Sequence, residues 1–120
     1  MADESITQQP TVRVALDFDD TYTKDPATWQ KLVSTMKEAG WDVRIVTFRD
    51  DVGGYNNHDI KAAASVMDLP IIFTAGKQKS VFCRKVGFVP SFWIDDLPYL
   101  IPNAEQMAGM VYGCIRNNDV

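Results

Sequence analysis

The sequence predicts an α/β fold, namely a three-layer, Rossmann-like sandwich with a central, mostly parallel sheet and helices on both faces. Two observations predict this class. Short apolar stretches typical of buried strands alternate along the chain with segments of helical periodicity. The connections between the strands are also too long for hairpins, so that consecutive strands need crossovers and run parallel. Functional groups in such folds gather at the carboxyl ends of the strands.

Length and composition predict one soluble domain. The chain has 120 residues, of which 46% are hydrophobic, and we expect a polar tail at residues 1–10 and a single core domain at 11–120. No stretch has the pattern of a signal peptide or a membrane span, which favours a cytoplasmic protein without a membrane partner. The net charge of −4 argues against tight binding to nucleic acid. Cys83 and Cys114 have no metal-ligand spacing, and we expect both to be buried as small apolar residues.

Four apolar stretches predict strands, at residues 12–18, 43–48, 70–74 and 91–94. Asp25 and Pro26 are typical of a helix start, and Gly40 of a helix end. That helix is expected to bury an apolar face made of Trp29, Leu32, Val33 and Met36. A second helix should bury Ile60, Ala63, Ala64 and Met67, a third should run from about Gln78 to Gly87, and a last one should follow Asn103. Strands and helices therefore alternate along the whole chain.

Three carboxylates and a hydroxyl follow the first strand within five residues, at Asp17, Asp19, Asp20 and Thr21. Like charges this close repel each other unless a cation or a proton lies between them. A ligand set made only of oxygen atoms favours Mg²⁺. Such an edge also offers what phosphate-ester chemistry needs: an ionised carboxylate as nucleophile, a second carboxyl for proton transfer, and a hydroxyl and an ammonium for the phosphoryl oxygens.

The residues at this edge resemble the motifs of the haloacid dehalogenase-like (HAD) phosphatases. Residues 17–21 (Asp-Phe-Asp-Asp-Thr) are similar to the first motif of that family, and Thr47 to its phosphate-binding Ser/Thr. Lys79, near the start of the third predicted helix, resembles the lysine of the family, with Lys77 as the competing position. Asp95 and Asp96 resemble the terminal acidic motif. The four motifs follow each other in the family's order along nearly the whole predicted domain.

The resemblance implies a role for each of these residues. Asp17 would be the nucleophile that becomes an aspartyl phosphate, and Asp19 the general acid and then the base. Thr47 and Lys79 would bind the phosphoryl group. The Mg²⁺ ligands would be Asp17, the backbone carbonyl of Asp19, Asp95 and Asp96. The sequence therefore predicts a Mg²⁺-dependent phosphatase that hydrolyses a phosphomonoester. Arg49 and Asp51 could contact the substrate from the second loop, but we interpret both as solvated loop residues.

The family usually carries a cap domain inserted after its first or second motif, whereas this chain has only a turn at 20–25 and one loop with one helix at 48–70. An open site cannot enclose a small metabolite by itself. We therefore expect either a large phosphorylated substrate, such as a protein, a nucleic-acid end or a polysaccharide precursor, or a second copy of the chain that covers the site.

Three other classes compete with the phosphatase. A response-regulator receiver domain also places a phosphate-accepting Asp on a parallel sheet, but it needs that Asp after the third strand, where this chain has Thr74. A Mg²⁺-dependent nuclease would use clustered carboxylates, and the net charge does not favour it. A HAD-like scaffold without catalysis would only bind a partner, which the intact Asp17 and Asp19 argue against.

Overall fold

The computed structural model describes residues 11–52, 56–97 and 101, and four strands of this part form one parallel sheet. The strands are β1 (Arg13–Leu16), β2 (Asp42–Thr47), β3 (Ile71–Phe73) and β4 (Phe92–Ile94), in the spatial order β3-β2-β1-β4. All three neighbouring pairs run parallel, which confirms the predicted α/β class. Three strands are shorter than predicted because residues at their ends leave the ladder, and β2 is displaced by one residue.

Helices lie on both faces of the sheet. They are α1 (Pro26–Glu38), α2 (His58–Met67) and α3 (Lys79–Lys85), and a short 3-10 helix (Tyr22–Lys24) precedes α1. The buried residues of α1 and α2 pack on one face of the sheet, and Cys83 of α3 packs on the other. The described residues thus form the three layers that the sequence predicts.

Helix α1 begins and ends where the sequence predicts. The carboxylate of Asp25 accepts a hydrogen bond from the Thr28 N–H at 3.2 Å, and Pro26 occupies the first helical position. After the helix, Gly40 adopts a φ of +84°, which a residue with a side chain avoids. The prediction that Leu32 faces the core is wrong: Leu32 is 42% exposed, since the buried stripe runs through its neighbour Val33.

The core consists of two clusters, because strand side chains alternate between the faces of the sheet. The cluster under α1 and α2 includes Val14, Leu16, Val43, Ile45 and Ile60, and the cluster under α3 is formed by Ala15, Val46, Ile72, Cys83 and Phe88. The four residues predicted to be buried on α2 are all buried. The burial of Cys83 is confirmed, whereas Cys114 and the last predicted helix lie outside the described residues. Within the described ranges, no helix has the length and apolarity needed to cross a membrane.

Strand register brings the predicted site residues to one edge of the sheet. Leu16 of β1 pairs with Ile94 of β4, and the N–H of Asp17 donates to the Ile94 carbonyl at 2.9 Å. Asp17 and Asp95 therefore leave the sheet side by side. On the other flank of β1, Leu16 pairs with Ile45, so that Thr47 at the end of β2 lies one residue beyond the level of Asp17.

Candidate active site

Three carboxylates meet at the carboxyl edge of β1 and β4. One oxygen each from Asp17, Asp95 and Asp96 lies within 4.8 Å of the others. The ammonium of Lys79 lies between two of these groups, 2.8 Å from Asp17 Oδ1 and 2.6 Å from Asp95 Oδ2. The Lys79 side chain is only 2% exposed. A buried ammonium needs such partners, because desolvating an unpaired charge costs several kcal/mol.

The structure distinguishes the two candidate lysines. Lys79 is the first residue of α3 and points into the site, whereas Lys77 is exposed in the turn before the helix. A cation at a helix N-terminus faces the positive end of the helix dipole. The carboxylates of Asp17 and Asp95 compensate for this unfavourable placement of the Lys79 ammonium.

Thr21 links two members of the cluster. Its hydroxyl lies 3.1 Å from Asp17 Oδ2 and 3.3 Å from Asp96 Oδ1, and it accepts a hydrogen bond from the Asp96 N–H at 3.2 Å. Because a hydroxyl carries one proton, it donates to one of these carboxylates at a time. The sequence indicates only a local role for Thr21. In the structure Thr21 also contacts Asp96, which lies 75 residues further along the chain.

Burial and mutual contact separate the pKa values of two of these acids. Burial raises the pKa of Asp17 to about 6, although the hydrogen bond from Lys79 acts in the opposite direction. A hydrogen bond between the two carboxyls raises the pKa of Asp17 further and lowers that of the more exposed Asp96. Because burial disfavours its charged form, Asp17 is the carboxyl that gains most from a nearby cation.

The carboxylate of Asp19 lies apart from this cluster. Among the described residues, the group of mutually close acidic ligand atoms does not include it. Instead, Arg49 binds Asp19 through two hydrogen bonds of 2.8 and 3.1 Å. The same guanidinium binds Asp59 of α2 at 2.7 and 3.0 Å, and it lies 5.1 Å from the ring centroid of Phe18.

The interpretation of Arg49 as a solvated loop residue is therefore wrong. Its side chain is 17% exposed and joins the loop after β1 to the start of α2. The contacts with Asp59 and Asp19 raise the pKa of the guanidinium above its already high usual range. A sequence signal for this bridge is weak, because Asp19 and Arg49 are 30 residues apart and only the fold brings them together. Asp51 is exposed and pairs with Lys61, in keeping with the predicted solvated loop.

Two buried threonines lie at the carboxyl ends of β2 and β3. Thr47 is buried at the end of β2, and its hydroxyl accepts a hydrogen bond from the N–H of Arg49 at 3.2 Å. Thr74 follows β3 and is also buried, and its N–H donates to the Thr47 carbonyl at 2.9 Å. Within the part of the chain that the structure describes, the Thr74 hydroxyl has no hydrogen-bond partner. The sequence analysis did not include Thr74 among the site residues.

The donor set at this edge fits a hard divalent cation. The converging ligand atoms of Asp17, Asp95 and Asp96 are all carboxylate oxygens. Hard divalent cations such as Mg²⁺ prefer oxygen ligands, whereas softer ions do not. Lys79 engages one oxygen of Asp17 and one of Asp95. The second oxygens accept from the Thr21 hydroxyl at 3.1 Å and from the Leu97 N–H at 2.9 Å, and each keeps a lone pair that can bind a cation. The three carboxylates thus offer the oxygen ligands of a hard-cation site.

Removing the Thr21 hydroxyl should destabilise this cluster. In Thr21→Val, the N–H of Asp96 and one oxygen of Asp17 lose their partner, and we expect the free energy of unfolding to fall by about 1 to 2 kcal/mol. Urea denaturation at pH 7 measures the change. Thr23→Val is the control, since the Thr23 hydroxyl accepts a single bond from the exposed Asp20 N–H. Equal stability of the Thr21 and Thr23 variants would contradict a linking role for Thr21.

Comparisons with known proteins identify no relative of this chain. A scan against protein-family models found none that matches, and searches of curated proteins and of solved structures found no significant match.

Proposed function

We propose that this chain is a Mg²⁺-dependent phosphatase that hydrolyses a phosphomonoester through an aspartyl-phosphate intermediate. One observation carries the proposal: a buried lysine, 62 residues away along the chain, holds Asp17 at 2.8 Å and also contacts Asp95 at 2.6 Å. These residues occupy the positions at which the resemblance to HAD phosphatases places the nucleophile, the lysine and the acidic motif. A structural role alone would not need a buried charged group at the end of a strand.

In the first half-reaction, an oxygen of Asp17 attacks phosphorus and forms an acyl phosphate while the ester P–O bond breaks. Lys79 holds the carboxylate and offers its ammonium to the phosphoryl oxygens, with Thr47 as the proposed hydroxyl donor. The leaving oxygen takes a proton from the carboxyl of Asp19. Because Arg49 binds Asp19 in this structure, that carboxyl must leave the guanidinium to act as an acid, and Asp59 remains to pair Arg49.

In the second half-reaction, water attacks phosphorus, and the bond between phosphorus and the Asp17 oxygen breaks. Asp19 accepts a proton from this water, so that inorganic phosphate leaves and the Asp17 carboxylate is restored. Asp17, Asp95 and Asp96, with the backbone carbonyl of Asp19, would hold the cation. Mg²⁺, when bound, would neutralise the acidic cluster and polarise the phosphoryl group.

The surroundings of the site agree with an open entrance. The Asp19 side chain is 54% exposed, and a short loop with a 3-10 turn joins β1 to α1. We therefore propose a large substrate or a second subunit over the site. We also place the protein in the cytoplasm, in agreement with the buried free thiol of Cys83.

The test is hydrolysis of p-nitrophenyl phosphate with MgCl₂ or with EDTA, by the wild type and by Asp17→Asn. We expect Mg²⁺-dependent turnover that falls by at least about 10³-fold in the variant, because an amide is not a nucleophile of this kind. Asp20→Asn is the matched control: it removes an adjacent exposed carboxylate, and Asn tolerates the φ of +61° at that position.

The outcomes separate the competing classes. Turnover that persists in EDTA or in Asp17→Asn would contradict the proposal. If the wild type binds beryllofluoride without turning over this ester, the acceptor aspartate is intact, and the protein is either a phosphatase with a more demanding substrate or a receiver-like phosphoacceptor. Neither binding nor turnover would leave a HAD-like scaffold that only binds a partner.

A further inference from the structure

A cleft of about 370 Å³ opens among the loops that follow β1, β2 and β3. It is lined by Asp19, Phe48, Arg49, Asp50, Ala75 and Gly76. Asp19 is the proposed proton donor to the leaving oxygen, and proton transfer requires a hydrogen bond between these two groups. The leaving group of the substrate must therefore lie on the side of Asp19, which is the side of this cleft. This step rests on the proposed function.

The charges around the cleft are mainly negative. Among the residues that the structure describes, Arg49 is the only cation that lines it, and the two carboxylates of Asp19 and Asp59 already bind that guanidinium at 2.8 and 2.7 Å. Asp50 adds a third carboxylate, held in place by the Val52 N–H at 3.1 Å. Lys77 follows the lining turn but does not line the cleft. Among the described residues, a ligand in the cleft thus meets two lining carboxylates, Asp19 and Asp50, and one guanidinium that Asp59 also binds.

This charge balance selects among leaving groups. An anionic leaving group would need Arg49 as its partner, and Asp59 keeps that guanidinium paired through two bonds even after Asp19 has turned to the leaving oxygen. It would also face Asp50 in a partly desolvated cleft, where like charges repel more strongly than in bulk water. An uncharged leaving group avoids both costs, and a cationic one is attracted.

We propose that this cleft binds the leaving group and selects phosphomonoesters of uncharged or cationic alcohols against those whose alcohol carries a carboxylate or further phosphates. Nucleic-acid ends and polyphosphates are thereby disfavoured as substrates. The aromatic ring of Phe48 and the small residues at 75 and 76 provide an apolar wall and room for the carbon skeleton.

The test uses three aryl esters of nearly equal size: phenyl phosphate, 3-carboxyphenyl phosphate and 3-(aminomethyl)phenyl phosphate. At low ionic strength we expect kcat/KM to be at least about 10-fold lower for the carboxylate ester than for the ammonium ester, with phenyl phosphate between them. The ratio should shrink in 0.5 M KCl, because salt screens these charges.

Two variants locate the effect. Asp50→Asn removes the charge but keeps an oxygen for the Val52 N–H, and it should reduce the ratio by about 3-fold or more. Asp68→Asn makes the same change of net charge on a side chain that is 99% exposed at the end of α2, and it should leave the ratio unchanged.

Equal or reversed preference in the wild type would overturn the inference. So would a preference that Asp50→Asn and Asp68→Asn alter equally, because the cleft would then not be its source. These outcomes require turnover and leave the proposed phosphatase intact. Absence of turnover with all three esters would contradict the phosphatase itself, and this inference would fall with it.

Discussion

Lys79→Met is expected to lower the free energy of unfolding by about 3 to 5 kcal/mol at pH 7.5 and to remove Mg²⁺-dependent turnover. The wild-type ammonium is 2% exposed and pairs with two carboxylates whose side chains are 9% and 3% exposed. Methionine fills a similar volume but leaves Asp17 and Asp95 as neighbouring buried anions. The cost comes from this uncompensated charge, since loss of one partner exposes the full desolvation penalty of the other.

Chemical denaturation measures the effect, and Lys61→Met is the matched control. Lys61 also pairs with an aspartate, but its side chain is 57% exposed, and loss of this pair should cost less than about 0.5 kcal/mol. Adding Asp17→Asn to Lys79→Met should recover part of the stability, because it removes one of the two facing charges. A Lys79→Met protein as stable as the Lys61 control would contradict the view that the lysine neutralises the cluster.

The sequence predicts which residues meet at the carboxyl edge of the sheet, and the reason is physical. A parallel sheet aligns the carboxyl ends of its strands, so that polar residues after apolar runs must meet there. Only the order of strands and crossovers is needed to bring Asp17, Asp95 and Asp96 to one edge, where the structure has them in one cluster. Lys79 comes instead from the motif resemblance, with Lys77 left open, because a sequence does not fix the first residue of a helix.

What the sequence does not predict depends on loop conformation. Arg49 reaches Asp19 because the backbone reverses at Asp20, with a φ of +61°, and because α2 presents Asp59 to the other side of the guanidinium. No periodicity specifies such turns. The contact between Thr21 and Asp96 likewise joins two loops. Patterns of apolar residues thus locate strand ends, while the partners of side chains in the loops follow from backbone details.

The second large effect concerns the pH dependence of stability. Burial raises the pKa of Asp17 to about 6 in the folded protein, against an ordinary value of 3.8 in the unfolded chain. Between these values the folded protein binds more protons than the unfolded chain. Titration of Asp17 therefore makes a contribution to the free energy of unfolding that is fully present below about pH 4. This contribution is lost as the pH rises through 6. The lowered pKa of the exposed Asp96 acts in the opposite direction and is screened by solvent.

Comparison with Asp17→Asn isolates this contribution, since the amide does not titrate. Relative to the wild type, the variant should gain about 2 kcal/mol of stability between pH 4 and pH 7, measured by denaturation at constant ionic strength. The exposed Asp20→Asn control should show no such gain. Millimolar Mg²⁺ should stabilise the wild type more than Asp17→Asn at pH 7, because a bound cation favours the ionised carboxylate. A stability difference that is constant with pH would contradict a buried, proton-retaining Asp17, and stabilisation by Mg²⁺ that is equal in both proteins would exclude Asp17 as a ligand.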